Sequence, residues 1–296
     1  MDFKVIGIAA ALGSAASWAI GAILFKRLGE QISPLGLTLA KGTLSAILLA
    51  VIFVLTPYEE VERQSLLLLI LSGLLGISVG DTFFFAALQD LGAHALVVLS
   101  TLGEVFTILL AVIFLGERHN LTTWIGIIFV ISGIAVVLQA KLTEEQQRSS
   151  LRGIILGLLS VLCMSVSIII AKEALASISA IQATFIRMVS GTLGIFFLGI
   201  TTQQLGGWMV PLRDVKLVGH LLLSVGFITF GGFWLSLVSI KYVDVSIANT
   251  LNTTDPIFVL LLAAIFLHEK ITLKAVIGTI LTMVGIILLI KVNIVA

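Results

Sequence analysis

The chain has 296 residues, of which 59% are hydrophobic and only 11% charged, with a mean hydropathy of +1.20. That excess of apolar side chains is far beyond what a soluble core can bury, so most of the chain belongs in lipid. A formal net charge of +1 argues against nucleic acid as a partner, and the one cysteine, Cys163, excludes a disulfide framework and a thiolate metal site.

In chain order, ten apolar segments approach the length of a membrane-crossing helix: 4–25, 34–56, 66–88, 92–115, 121–139, 151–171, 180–201, 215–240, 244–267 and 271–292. The first begins after Lys4 without a small-residue cleavage site, and is expected to be a retained span rather than a removed signal peptide. The runs are continuous and lack strand alternation, which predicts helices rather than a barrel. The longest connections fall at 57–65, 140–150 and 202–214. Among them the charged stretch Lys141–Arg152 is the natural joint.

The two sides of that joint repeat each other. Val98–Arg118 and Thr250–Lys270 align at an offset of 152 (269 − 117), pairing Thr101 with Thr253, Phe106 with Phe258, Phe114 with Phe266, Glu117 with Glu269 and Gly126 with Gly278. Gly80 pairs with Gly232 at the same offset. The first two spans repeat at an offset of 146 (160 − 14), pairing Gly7 with Gly153, Ser14 with Ser160, Lys26 with Lys172 and Lys41 with Arg187. The expected domains are therefore residues 1–140 and 151–296, each a five-helix repeat, joined by a linker at 141–150. Five is odd, so the second copy enters the membrane from the opposite side. The predicted fold is all-α and polytopic, with ten transmembrane helices in two inverted five-helix repeats. Lys and Arg outside the spans are more numerous on the side opposite both termini, which by charge alone puts the termini outside the cell.

Ten spans in two inverted copies, with the paired signature Phe114-Leu115-Gly116-Glu117 and Phe266-Leu267-His268-Glu269, resemble the EamA family of the drug/metabolite transporter superfamily. Asp255-Pro256 is similar to the proline-containing fourth helix of that family, and Lys41 and Arg187 stand where it carries a basic residue in the second helix. Two departures accompany the likeness: Glu104 occupies the proline position in the first copy, and Lys41 replaces the more usual Arg. The resemblance implies a multi-pass protein of the cell membrane with cytoplasmic termini, against the charge count. It also implies a central pathway lined by helices one to four and six to nine, with the fifth and tenth helices as a scaffold.

Five ionisable residues lie well inside spans: Lys41, Asp81, Glu104, Arg187 and Asp255. Each is costly in contact with lipid and should face protein or water. Either they serve substrate binding or proton coupling, or they form structural ion pairs, and Lys41 and Asp81 lie at similar depth. Glu104 and Asp255 lack a basic neighbour on their own helices and are candidates for carrying a proton or holding a substrate amine. A local reading of Asp255 makes it the cap of an internal helix restart with Pro256 at the first helical position. Asp81 opens an aromatic run that includes Phe84, whereas the equivalent stretch up to Trp234 has no acid. Trp18, Phe84 and Trp234 line a pathway or pack. Asn249 and Asn252, one turn apart near Asp255, bind a ligand or a neighbouring helix.

Gly126, Gly133, Gly278 and Gly285 are expected at close helix contacts, and Glu117 and Glu269 as turn or capping residues. No metalloprotease, nucleophile-elbow or phosphate-loop motif is present. The expected protein is thus a secondary transporter and not an enzyme, with no metal and no cofactor. Its expected partners are the bilayer, a small-molecule substrate and, as coupling ion, protons; it acts as a monomer or homodimer. Charges of both signs within the membrane point to a polar metabolite such as an amino acid, exported from the cell. Amphipathic drugs, purines and sugar derivatives are the alternative substrates, and a non-transporting membrane protein is the alternative class.

Overall fold

The computed structural model describes residues 3–54, 60–103, 105–106, 109, 121–141, 147–174, 178, 180–235, 238–239, 251 and 254–293. Among these residues the regular structure is helical, with no strand. Helix α1 spans Phe3–Leu28 and α2 spans Pro34–Val54. Next, α3 (Arg63–Gly73) runs through a π-helix (Leu74–Gly80) into α4 (Asp81–Leu91). The chain goes on with α5 (Ala93–Ser100), α6 (Leu121–Lys141), α7 (Gln147–Ala174) and α8 (Ala180–Thr201). A short α9 (Leu205–Met209) and a 3-10 turn (Val210–Arg213) precede α10 (Val215–Gly226), which continues as a second π-helix (Phe227–Trp234). The last two are α11 (Asp255–Phe266) and α12 (Leu273–Asn293). Among the described residues six helical stretches are long and apolar enough to cross a membrane, including the composite rod Arg63–Leu91.

The surface has the character that lipid demands. Leu67, Leu71, Ile128, Phe197 and Ile280 are exposed, while Ser14, Thr38, Ser72, Ser167 and Thr282 are fully buried. Lipid tails are as apolar as leucine, so burying leucine draws no two helices together. Close backbone approach and hydroxyl hydrogen bonds do that work instead.

The helices gather into two compact units: one of Met1–Arg27, Ala87–Ile155 and Gly226–Ala296, the other of Leu28–Ala86 and Leu156–Val225. Neither unit is a sequence half; each combines helices from both copies of the repeat.

In the first unit α6 packs along α12 through the glycines that the repeat had paired. A Cβ on Gly133 would sit 2.5 Å from the carbonyl oxygen of Gly278, and one on Gly285 would sit 2.7 Å from that of Gly126. Helix α1 packs on the second π-helix of the same unit. There the Ser14 hydroxyl donates to the Gly232 carbonyl at 2.7 Å, and Trp18 covers Gly232, where a Cβ would lie 2.8 Å from its ring.

The second unit contains the same contact made from the other copy. The Ser160 hydroxyl of α7 donates to the Gly80 carbonyl at 2.9 Å, and Met164, the counterpart of Trp18, lies 3.2 Å from a Cβ built on Gly80. Ser14 and Ser160 are repeat equivalents, and so are Gly80 and Gly232. The first span of each copy therefore bonds to the third span of the other copy, at the π-helix. Below this contact the Ser72 and Ser167 hydroxyls each donate to the other residue's carbonyl at 2.7 Å. The Ser78 hydroxyl donates to the Gly191 carbonyl of α8 at 2.6 Å.

The sequence predicts uninterrupted spans at 66–88 and 215–240, whereas each carries a π-helix in its middle. A π-turn takes an extra residue per turn and widens the helix, and small residues there let a neighbour approach the exposed carbonyls. Gly76 and Gly80 in one, and Gly231 and Gly232 in the other, meet that need. Glycine tolerance should sort accordingly. Gly285→Ala is expected to lower stability by about 1–3 kcal/mol through overpacking. Gly219→Ala, in an open stretch of α10, should be neutral or stabilising by about 0.5–1 kcal/mol. Thermal melting of the purified variants in one detergent checks the order.

Candidate functional site

Among the described residues, the second unit holds three charged side chains deep in its spans, Lys41, Asp81 and Arg187, and the π-helix organises them. The backbone N–H of Asp81 reaches back to the carbonyl of Gly76, an i to i−5 bond that stacks position 81 above position 76 on one face of the rod. Asp81 is buried and meets the Lys41 ammonium of α2, with Lys41 Nζ 2.6 Å from its carboxylate. The ammonium also stands over the ring of Phe85, 5.8 Å from its centroid. At the next residue of the rod, Thr82 shares a hydrogen bond of 3.1 Å with Thr38 of α2, and its hydroxyl donates to the Ser78 carbonyl at 2.6 Å. The pairing foreseen from similar depth is thus present as a tight ion pair.

Arg187 enters the same rod one π-turn lower, from α8. Its Nη2 donates to the Ser167 hydroxyl of α7 at 3.0 Å and lies 3.6 Å from where a Cβ on Gly76 would be. Its Nε is buried and has no acceptor. The unit thus brings together Lys41, Asp81 and Arg187: two cations, equivalent in the repeat, and one acid. Phe84 is half-buried beside them and meets Phe85 edge-on, with ring centroids 5.8 Å apart.

The other expected site residues are placed differently. Trp18 belongs to the first unit and packs on a π-helix glycine. Trp234 is the last residue of the second π-helix. Asp255 is the first residue of α11 in the first unit, so the cap position falls on Thr254 and Pro256 is the second helical residue. The cap is one residue earlier than the sequence reading put it. The Thr254 hydroxyl does not cap the helix but donates to the Leu251 carbonyl at 2.6 Å. The acid then sits in the first helical turn, where the helix dipole favours negative charge. Glu104, Asn249 and Asn252 lie outside the described residues.

Two features escaped sequence reasoning. Ser167 and Gly76, which frame Arg187, are small residues whose only signal was the repeat: their counterparts are Gly21 and Ile228, so the small and bulky partners are exchanged. The other is the reach of the signature glutamate. Glu269 Oε1 accepts a hydrogen bond from the Ala93 backbone N–H at 3.0 Å, so the second copy's signature caps the fourth span of the first. Gly92, at φ +83, leaves the space; a Cβ there would lie 2.6 Å from Glu269 Oε1. The capping role expected of Glu269 is therefore real, and its partner belongs to the other copy.

The profile of the EamA-like transporter family matches the chain twice, over residues 5–139 and 151–291. The chain belongs to the EamA-like transporter family. It is similar to two proteins named uncharacterized transporters in Archaeoglobus fulgidus. One is 25% identical over 275 residues, covering 93% of this chain and 95% of the relative. The other is 21% identical over 233 residues, covering 79% of each. A crystal structure at 14% identity shares the fold with a TM-score of 0.55, over 97% of this chain and 96% of that one. With its membrane-length helices, this membership makes the chain a multi-pass membrane protein of a transporter family and not an enzyme.

Breaking the ion pair from one side should cost about 3 kcal/mol, because the remaining charge stays in a dry span. Asp81→Asn and Lys41→Met are each expected to melt well below wild type, while Lys41→Met/Asp81→Leu together recover most of the loss in the same melting assay. Glu269→Ala should cost about 1 kcal/mol as a lost helix cap. Glu269→Gln, which keeps a carbonyl acceptor, should fall between it and wild type.

Proposed function

We propose that the chain is a secondary transporter that moves a small polar metabolite, an amino acid or a related compound, out of the cell by alternating access. Ten helices in two inverted five-helix repeats are the architecture this reading requires. The observation that carries it is the pair of repeat-equivalent contacts, Ser14 to Gly232 and Ser160 to Gly80, each formed between different copies of the repeat. Inverted copies interlocked in this way support a device with two equivalent states, one open to each side. The charges within the spans support a polar cargo, since apolar cargo needs no buried Lys, Asp and Arg. The cell membrane, with both termini in the cytoplasm, is the proposed location.

Proton coupling is assigned to Glu104 and Asp255 rather than to Asp81, whose carboxylate is already paired with the Lys41 ammonium at 2.6 Å. The test is uptake into proteoliposomes of labelled amino acids, nucleobases and a cationic dye, with and without a pH gradient. Saturable uptake of amino acids that the gradient accelerates is the expected result, and Glu104→Gln is expected to abolish the acceleration while leaving the protein folded. Uptake that favours nucleobases or the dye moves the cargo class, and absence of flux for every probe removes the transport reading.

A further inference from the structure

In the second unit, among the described residues, two in-span cations share one acid: Asp81 lies within electrostatic reach of Arg187 but is ion-paired with Lys41. Lys41 and Asp81 neutralise each other at 2.6 Å. The residue that the repeat places opposite Arg187, as Asp81 is placed opposite Lys41, is Phe233. The guanidinium carries five N–H donors. One meets the Ser167 hydroxyl at 3.0 Å, and the buried Nε–H meets nothing. An unanswered donor on a charged group inside a membrane is costly, and such groups are kept where they bind something.

The surroundings of the guanidinium are small and polar rather than apolar. Gly76 and Ser167 beside the guanidinium are small, whereas their repeat counterparts bring Ile228 against Gly21 in the first unit. One copy fills this contact with a branched aliphatic side chain; the other fills it with the Ser167 hydroxyl and sets a guanidinium beside it. The hydroxyls of Ser72 and Ser167 stand 3.0 Å apart at its edge.

We propose that Arg187 is the docking point for an anionic group, a carboxylate, on the transported molecule. A planar guanidinium whose Nε–H lacks an acceptor can donate two parallel hydrogen bonds to a carboxylate. The carboxylate brings the unit's in-span charge to balance: Lys41 with Asp81, Arg187 with cargo. This rests on the transport reading and narrows it. Cargo lacking an acid group is excluded, and the acid, not the amine, is what this unit recognises.

The test separates binding from structure and does not need flux. The full chain is purified in detergent, and its melting is followed in chloride, acetate, benzoate and inorganic phosphate at equal ionic strength. The variants Arg187→Gln, Arg187→Lys and Asp81→Asn are compared. In chloride, Arg187→Gln is expected to melt at or above wild type, because it removes the excess cation and its unsatisfied Nε–H, whereas Asp81→Asn melts below it. Acetate and benzoate are expected to raise the wild-type melting temperature. In Arg187→Gln the concentration needed should rise by roughly tenfold or more, as for one lost charge-assisted hydrogen bond. Arg187→Lys, which cannot form the paired bonds, should fall between.

Stabilisation by phosphate but not by the carboxylates overturns the carboxylate assignment in favour of a phosphate-bearing cargo. Equal anion effects in wild type and Arg187→Gln, no effect in wild type, or a loss of stability in Arg187→Gln as large as that in Asp81→Asn overturns the docking role. Carboxylate binding at Arg187 without flux in proteoliposomes removes the transport reading alone. Flux that is equal for an amino acid and its amide removes the docking role alone.

Discussion

A bilayer offers no hydrophobic reward for joining two apolar helices, and the structure is organised around that constraint. Its helices are held by what remains: backbones brought close at glycine and hydroxyls given to carbonyls. Helices α6 and α12 meet glycine to glycine, and Ser14, Ser72, Ser78, Ser160 and Ser167 each donate to a carbonyl of another helix. Many leucines and isoleucines, among them Leu67, Leu71, Ile128 and Ile280, face outward along these rods, as they would not in a soluble protein.

The π-helices follow from the same economy of contacts. Their loosened turns offer carbonyls at Gly80 and Gly232 to serines of neighbouring spans, and one of them sets Asp81 directly over Gly76. That register places Lys41 and Arg187 on one rod a single turn apart. Fold and charge cluster are therefore coupled: in a plain α-helix, at about 100° per residue, position 81 would lie about 140° around the axis from position 76.

The repeat explains both the likeness of the two copies and their difference. Contacts that hold the scaffold occur twice, with the same residue types, as for the Ser–Gly bonds and the paired glycines of α6 and α12. Where the copies diverge, chemistry changes: acid against Phe233, Gly76 against Ile228, Ser167 against Gly21. The packing contacts are thus kept in both copies while the side chains around the in-span charges differ between them.

Much was legible in the sequence because the bilayer leaves few options. Apolar runs of sufficient length must be helices, so α1, α2, α6, α7, α8 and α12 fall within a few residues of their expected limits. The repeat offsets marked Ser14, Ser160, Gly80 and the packing glycines, and equal depth suggested the Lys41–Asp81 pair. What only the tertiary structure decided was which helix each group meets. The π-turns depend on a neighbour taking the released carbonyls, so no local pattern announces them. Glu269 caps a helix 176 positions away, and the unsatisfied, buried Nε of Arg187 is a fact about three helices at once. Periodicity records which residues leave water; it does not record their partners, because in lipid those partners are chosen by backbone approach and hydrogen-bond geometry between segments distant in the chain.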